Sequence, residues 1–148
     1  MVMPENLSDP FELNRFVEAQ ADVYETALRE LEDGQKRSHW MWFIFPQVAG
    51  LGSSSMARRY AIRSREEAKA YLKHPILGTR LRECCSALLR VENRTAEAIM
   101  GYPDFLKLKS SMTLFAEVSD PGSVFSAVLK KFFADQADIR TIELLSRA

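Results

Sequence analysis

Two clusters in this chain bring together side chains that could do chemistry. The first is Lys36, Arg37, Ser38 and His39, set directly before the apolar run Trp40-Met41-Trp42-Phe43-Ile44-Phe45 and closed by Pro46 and Gln47. Two cations and a hydroxyl at a helix start suit an anion, because first-turn N–H groups lack partners and the helix dipole is positive there. The plainer reading of the same residues is a solvated basic turn with Ser38 as a helix cap. The second cluster is Lys107, Lys109, Ser110, Ser111 and Thr113, on a segment that also reads as buried. Hydroxyls inside a helix often bond their own backbone four residues back. Three of them beside two lysines could instead add hydrogen bonds to a pocket floored by Trp40, Trp42 and Gln47.

Other chemistries find less support. Ser38 and His39 are neighbours, and adjacent helical residues do not face one another, so they make no nucleophile–base pair. His39 and His74 are far apart with no Cys or carboxylate at ligand spacing, so no metal site is expected. Cys84 and Cys85 sit on a leucine-rich face and read as reduced core thiols. Gly50-Leu51-Gly52 lacks the third glycine and the preceding strand of a dinucleotide fingerprint, and no cofactor is expected. The catalytic residue is unknown. If a reaction occurs, His39 is the candidate, histidine being the residue type that exchanges protons near neutral pH.

These clusters need elements to hold them. The aromatic run predicts a short helix over residues 39–45, started by Ser38, stopped by Pro46 and apolar on all sides, hence interior. Asp9-Pro10 predicts a helix start. A second helix is expected over Ala21 to Leu31, ended by Asp33-Gly34. Ser54 or Ser55 would cap a helix over Met56 to Tyr60, and Ser64 with Glu67 reads as a capping box for Arg65 to Leu72. Leu77, Leu81, Cys84, Cys85, Leu88 and Leu89 mark the cleanest amphipathic helix. Thr95, Pro103-Asp104, Ser123 and Asp138 open four more. The reading is all-α, about eight helices in one multihelical domain over residues 1–148, with 1–8 a loose arm.

Composition narrows the function classes. At 148 residues and 47% apolar, the chain can build one core. Lys plus Arg balances Asp plus Glu at 20 each, which argues against a dedicated nucleic-acid or membrane partner. No run is long enough to span a bilayer, and Met1 to Pro10 shows no secretory pattern, so a cytoplasmic location is expected.

The strings Lys36 to Gln47, Gly50-Leu51-Gly52 and Lys107 to Phe115 resemble the signature of the DUF1810, or Rv1873-like, family. Asp9-Pro10-Phe11, Arg15-Phe16, Glu67-Ala68, Tyr71-Leu72, His74-Pro75, Asp138 and Thr141 fit as well, so the resemblance runs from Asp9 essentially to the end. It implies a multihelical fold with two buried central helices, at residues 39–45 and about 104–118. It implies no activity. Some members carry the label calpastatin, yet an inhibitor disordered when free would not have this aromatic core. A looser similarity is to NADAR-like enzymes of ADP-ribose-type N-glycosides, with no residue to carry across. The expectation is therefore a protein binding a small anionic or nucleotide-like ligand between its two central helices. Lys36 and Lys109 would hold the anion and Trp40 or Trp42 would stack. Ser38, His39, Gln47, Ser110, Ser111 and Thr113 would supply hydrogen bonds. The alternatives are an interaction or structural module without a ligand, and the glycosidic-bond enzyme.

Overall fold

The structure, a computed structural model, describes residues 9–148; the expected N-terminal arm lies outside the described residues. Ten helices follow one another: α1 (Asn14–Gln20), α2 (Tyr24–Glu32), α3 (Met41–Ile44), α4 (Ser55–Arg59), α5 (Arg65–Lys73), α6 (Leu77–Arg90), α7 (Ala96–Met100), α8 (Asp104–Glu117), α9 (Val124–Phe133) and α10 (Ile139–Arg147). Among the described residues the only β pairing is an isolated parallel bridge between Val48 and Ile62. No described helix is long and apolar enough to cross a membrane.

Most helix starts obey their local signals. Ser54, Ser64, Thr95 and Ser123 each accept an N–H from the residue three further on. The capping box is offset by one: Glu67 bonds the N–H of Arg63, at 2.9 Å, rather than that of Ser64. Its other oxygen pairs with Arg15 at 2.8 Å. Asp9 caps as expected, but its carboxylate reaches the N–H groups of Leu13 and Asn14. Glu12 takes a left-handed φ of +54°, which no right-handed helix contains, so α1 starts beyond it. His74 does more than precede a proline. Its Nδ1 accepts from the N–H groups of Ile76 and Leu77, at 3.1 and 3.3 Å, at the head of α6.

Two helices of fourteen residues form the centre: the segment expected at about 104–118 is there as α8, but its central partner is α6 rather than the aromatic run at 39–45. The helix α6 packs on α2, α5 and α9, while α8 packs on α5, α7, α9 and α10. They meet where the Cys85 sulfur lies 3.6 Å from that of Met112. Phe115 on α8 stacks at 5.3 Å from Tyr71 and 5.7 Å from Phe125, tying α5 and α9 to the same centre. The aromatic run is helical and sunk as expected, but for one turn only, Met41–Ile44, packed on α1. Trp40, Met41, Ile44 and Phe45 are buried, whereas Trp42 and Phe43 reach partly to the surface. Each full burial of such a side chain is worth about 1.5–3 kcal/mol.

Candidate functional site

Ser38 does not cap α3. Its hydroxyl donates to Glu30 on α2, at 2.6 Å, and Trp40, not Ser38, stands at the helix start. Glu30 was missed by sequence reading, and it organises the whole entrance. Its Oε1 also accepts the N–H groups of Arg37 and Ser38 and the Trp40 indole N–H, at 2.8, 3.0 and 2.8 Å. Glu30 is 5% exposed. Burial alone would raise its pKa; the four hydrogen bonds to the ionised form outweigh that and hold it at about 2. The signal was faint: a glutamate inside an amphipathic helix looks like any solvated charge.

That anchoring fixes Lys36. Its backbone N–H reaches the Ile99 carbonyl of α7 at 2.7 Å, and its Nζ the Ser38 carbonyl at 2.6 Å. The same ammonium pairs with Asp104, the first residue of α8, at 2.8 Å and lies 4.9 Å from the Trp40 ring centroid. Lys107, one turn along α8, shares Asp104 at 3.6 Å and sits 5.6 Å from the Trp42 ring centroid. These groups, with Arg37, His39, Met41, Tyr102 and Pro103, line a half-enclosed cleft of about 400 Å³. Three basic side chains there, Lys36, Arg37 and Lys107, face one carboxylate, Asp104.

The structure divides the expected set. Lys36, Ser38, His39 and Trp42 line this cleft. Trp40 is wholly buried, so of the two tryptophans only Trp42 is open to stacking. Gln47 and Lys109 are not among the lining residues; the Gln47 carbonyl accepts the Ile62 N–H beside the β-bridge. The hydroxyls of α8 point elsewhere. Ser110 donates to Asp138 at 2.7 Å, and Thr113 accepts the Asp138 N–H at 2.8 Å while donating to the Lys109 carbonyl. Thr141 donates to the same Asp138 oxygen. These residues fasten α10 onto α8. Ser111 is 0% exposed, and its Oγ is the one buried side-chain polar atom without a hydrogen-bond partner among the described residues. The cleft thus meets α8 at its first turn, not at its hydroxyl face. Arg37, Tyr102, Asp104 and Lys107 line the cleft but were outside the expected set: Lys109 was expected where Lys107 stands, and an acidic first-turn residue looks like ordinary helix-dipole chemistry.

The thiols stay in the core. Burial pushes Cys84 up to about 12 and Cys85 well above its usual value, so neither is a thiolate near neutrality. No group of three or more His, Cys, Asp or Glu positioned for a metal exists among the described residues.

Fold and site together define a single-domain, all-α protein with a cationic, aromatic cleft at the head of a central helix. The chain belongs to the family described as protein of unknown function, DUF1810, whose profile matches residues 10–145. It is similar to the crystal structure of the conserved hypothetical protein Rv1873 from Mycobacterium tuberculosis. The identity is 54%, over 93% of this chain and 99% of that one, with a TM-score of 0.91. Comparison with curated proteins gives no match.

Proposed function

We propose that this protein binds a small anionic or nucleotide-like ligand in the cleft between the α3 entrance and the head of α8. The supporting observation is that two lysines share one aspartate beside a half-buried tryptophan. Lys36 is 7% exposed and already committed to Asp104, so it sets the local field rather than gripping the ligand. Lys107, at 32%, and Arg37, at 52%, are more exposed, and their pairs with Asp104 at 3.6 Å and Asp33 at 3.3 Å are solvent-facing ones an anion could displace. Trp42 offers a ring to stack on, and His39 a hydrogen bond. A thermal-shift panel of nucleotides and ADP-ribose derivatives tests the reading. A ligand at about a hundred times its Kd adds roughly 2.7 kcal/mol of stability. Lys107→Gln and Trp42→Leu should each abolish the shift. A flat response across the panel overturns the proposal.

A second reading draws on the rim. Tyr102 is 74% exposed and Leu106, one turn along, 44%. Exposed apolar side chains beside a cleft also suit a protein partner. Glycosidic-bond chemistry would have to use Asp104, the only carboxylate lining the cleft among the described residues, and two lysines already hold it.

A further inference from the structure

A second hollow, an open surface groove of about 770 Å³, shares no lining residue with the cleft. Lys69 and Lys73 enter it from α5, Arg82 from α6, and Asp120 from the turn between α8 and α9. The two lysines are four apart, hence on one helix face, where like charges repel. Neither lysine nor Arg82 has a carboxylate within 4.0 Å among the described residues. Arg82 is tethered by one N–H to the Leu72 carbonyl at 3.1 Å; its other guanidinium donors make no hydrogen bond within the described residues. At the far wall α9 begins. Ser123 caps the N–H of Ser126 at 3.2 Å, which leaves the N–H groups of Val124 and Phe125 without a helical acceptor. Both residues line the cavity. Three exposed basic side chains and one exposed acid therefore line one hollow that also touches the first turn of α9.

We propose that this cavity binds the phosphate monoester of a small, hydroxyl-bearing molecule such as a sugar phosphate. Three cations against one carboxylate leave an excess of two positive charges. A phosphate monoester carries about −1.5 to −2 at neutral pH and matches that excess. The phosphate belongs at Lys69, Lys73 and Arg82, near the head of α9. Asp120 would repel phosphate but can accept hydrogen bonds from hydroxyls, which is why the ligand needs hydroxyls. No aromatic face is on offer, since Phe125 is 1% exposed and only floors the site. That separates this ligand from the ring-bearing one suited to Trp42.

The test is an amide NMR titration of the full chain with glucose 6-phosphate, inorganic phosphate and glucose. Glucose 6-phosphate should shift the Gly122, Val124 and Phe125 amides saturably, and bind about tenfold tighter than inorganic phosphate. Glucose alone should leave them still. The double variant K69Q/K73Q changes two exposed side chains and should weaken glucose 6-phosphate by at least about tenfold, while K107Q in the cleft should leave it unchanged. Cavity amides that stay still, a double variant that binds as tightly as the parent, or equal affinity for inorganic phosphate would each overturn the proposal.

Discussion

Glu30 and Asp138 each gather the polar side chains of one conspicuous sequence cluster, and they do it by different routes. Glu30 takes four donors from residues seven to ten positions along the chain, all on one approach to the aromatic turn. It is buried, and every one of its bonds favours the charged form. Asp138 joins segments much further apart: the Ser110 and Thr113 hydroxyls of α8, and Thr141 of its own helix. Only two of those bonds involve its carboxylate. The first cluster is a local clasp around one buried charge; the second is a long-range fastener made of hydroxyls. In both, the side chains that looked most like ligand donors are largely spent on structure. The charged rim of the cleft keeps Lys107 and Arg37 accessible, and the proposed ligand would meet the protein there.

The contrast is broken most directly at Glu30. Glu30→Ala strands two backbone N–H groups, an indole N–H and a hydroxyl, and each buried orphan costs about 1–3 kcal/mol. A loss above roughly 3 kcal/mol in urea unfolding is expected, and a loss below about 1 kcal/mol would mean that the clasp is not built around this charge. The same carboxylate sets an acid limb. Its folded pKa, about 2, lies below the ordinary value of 4.5. The stability it contributes is therefore complete above the ordinary value and drains away as pH falls from 4.5 toward 2. That contribution is about 3 kcal/mol at neutral pH, and Glu30→Gln should flatten this part of the pH–stability curve.

At the fastener the effects are smaller. Asp138→Ala removes the acceptor of two hydroxyls and should cost about 2 kcal/mol. Faster hydrogen exchange in α10 than in α2 would show that the loss is local; uniform acceleration would contradict a separate fastener. Ser111→Ala is the finest probe. Its hydroxyl is buried without a partner, so removal should be neutral or stabilise by up to about 1 kcal/mol. A destabilised variant would reveal a bond at Ser111 and draw the two clusters closer in character.

Much of the scaffold was legible. Caps at Ser54, Ser64, Thr95 and Ser123, the stop at Gly34 and the face of α6 all follow from short-range rules and appear where expected. The site was legible only in part. Lys36, His39 and Trp42 crowd one short string, and the structure brings them to one cleft. Ser110 and Thr113 are three apart on a buried helix, which places them on one face but leaves open which neighbour that face meets. The neighbour is α10, near the end of the chain.

From its order of residues alone this chain determined that it is helical, where most helices begin, and that most of the tryptophan string is interior, Trp42 and Phe43 excepted. Those are consequences of backbone hydrogen bonding and of hydrophobic period, both settled within a few residues. Which carboxylate meets which cation was decided only when the helices packed. Asp104 lies far along the chain from Lys36, and no periodicity links them; they pair because α7 and α8 bring them within 2.8 Å. Charge pairing depends on distance in space, and that distance does not exist until the core has closed.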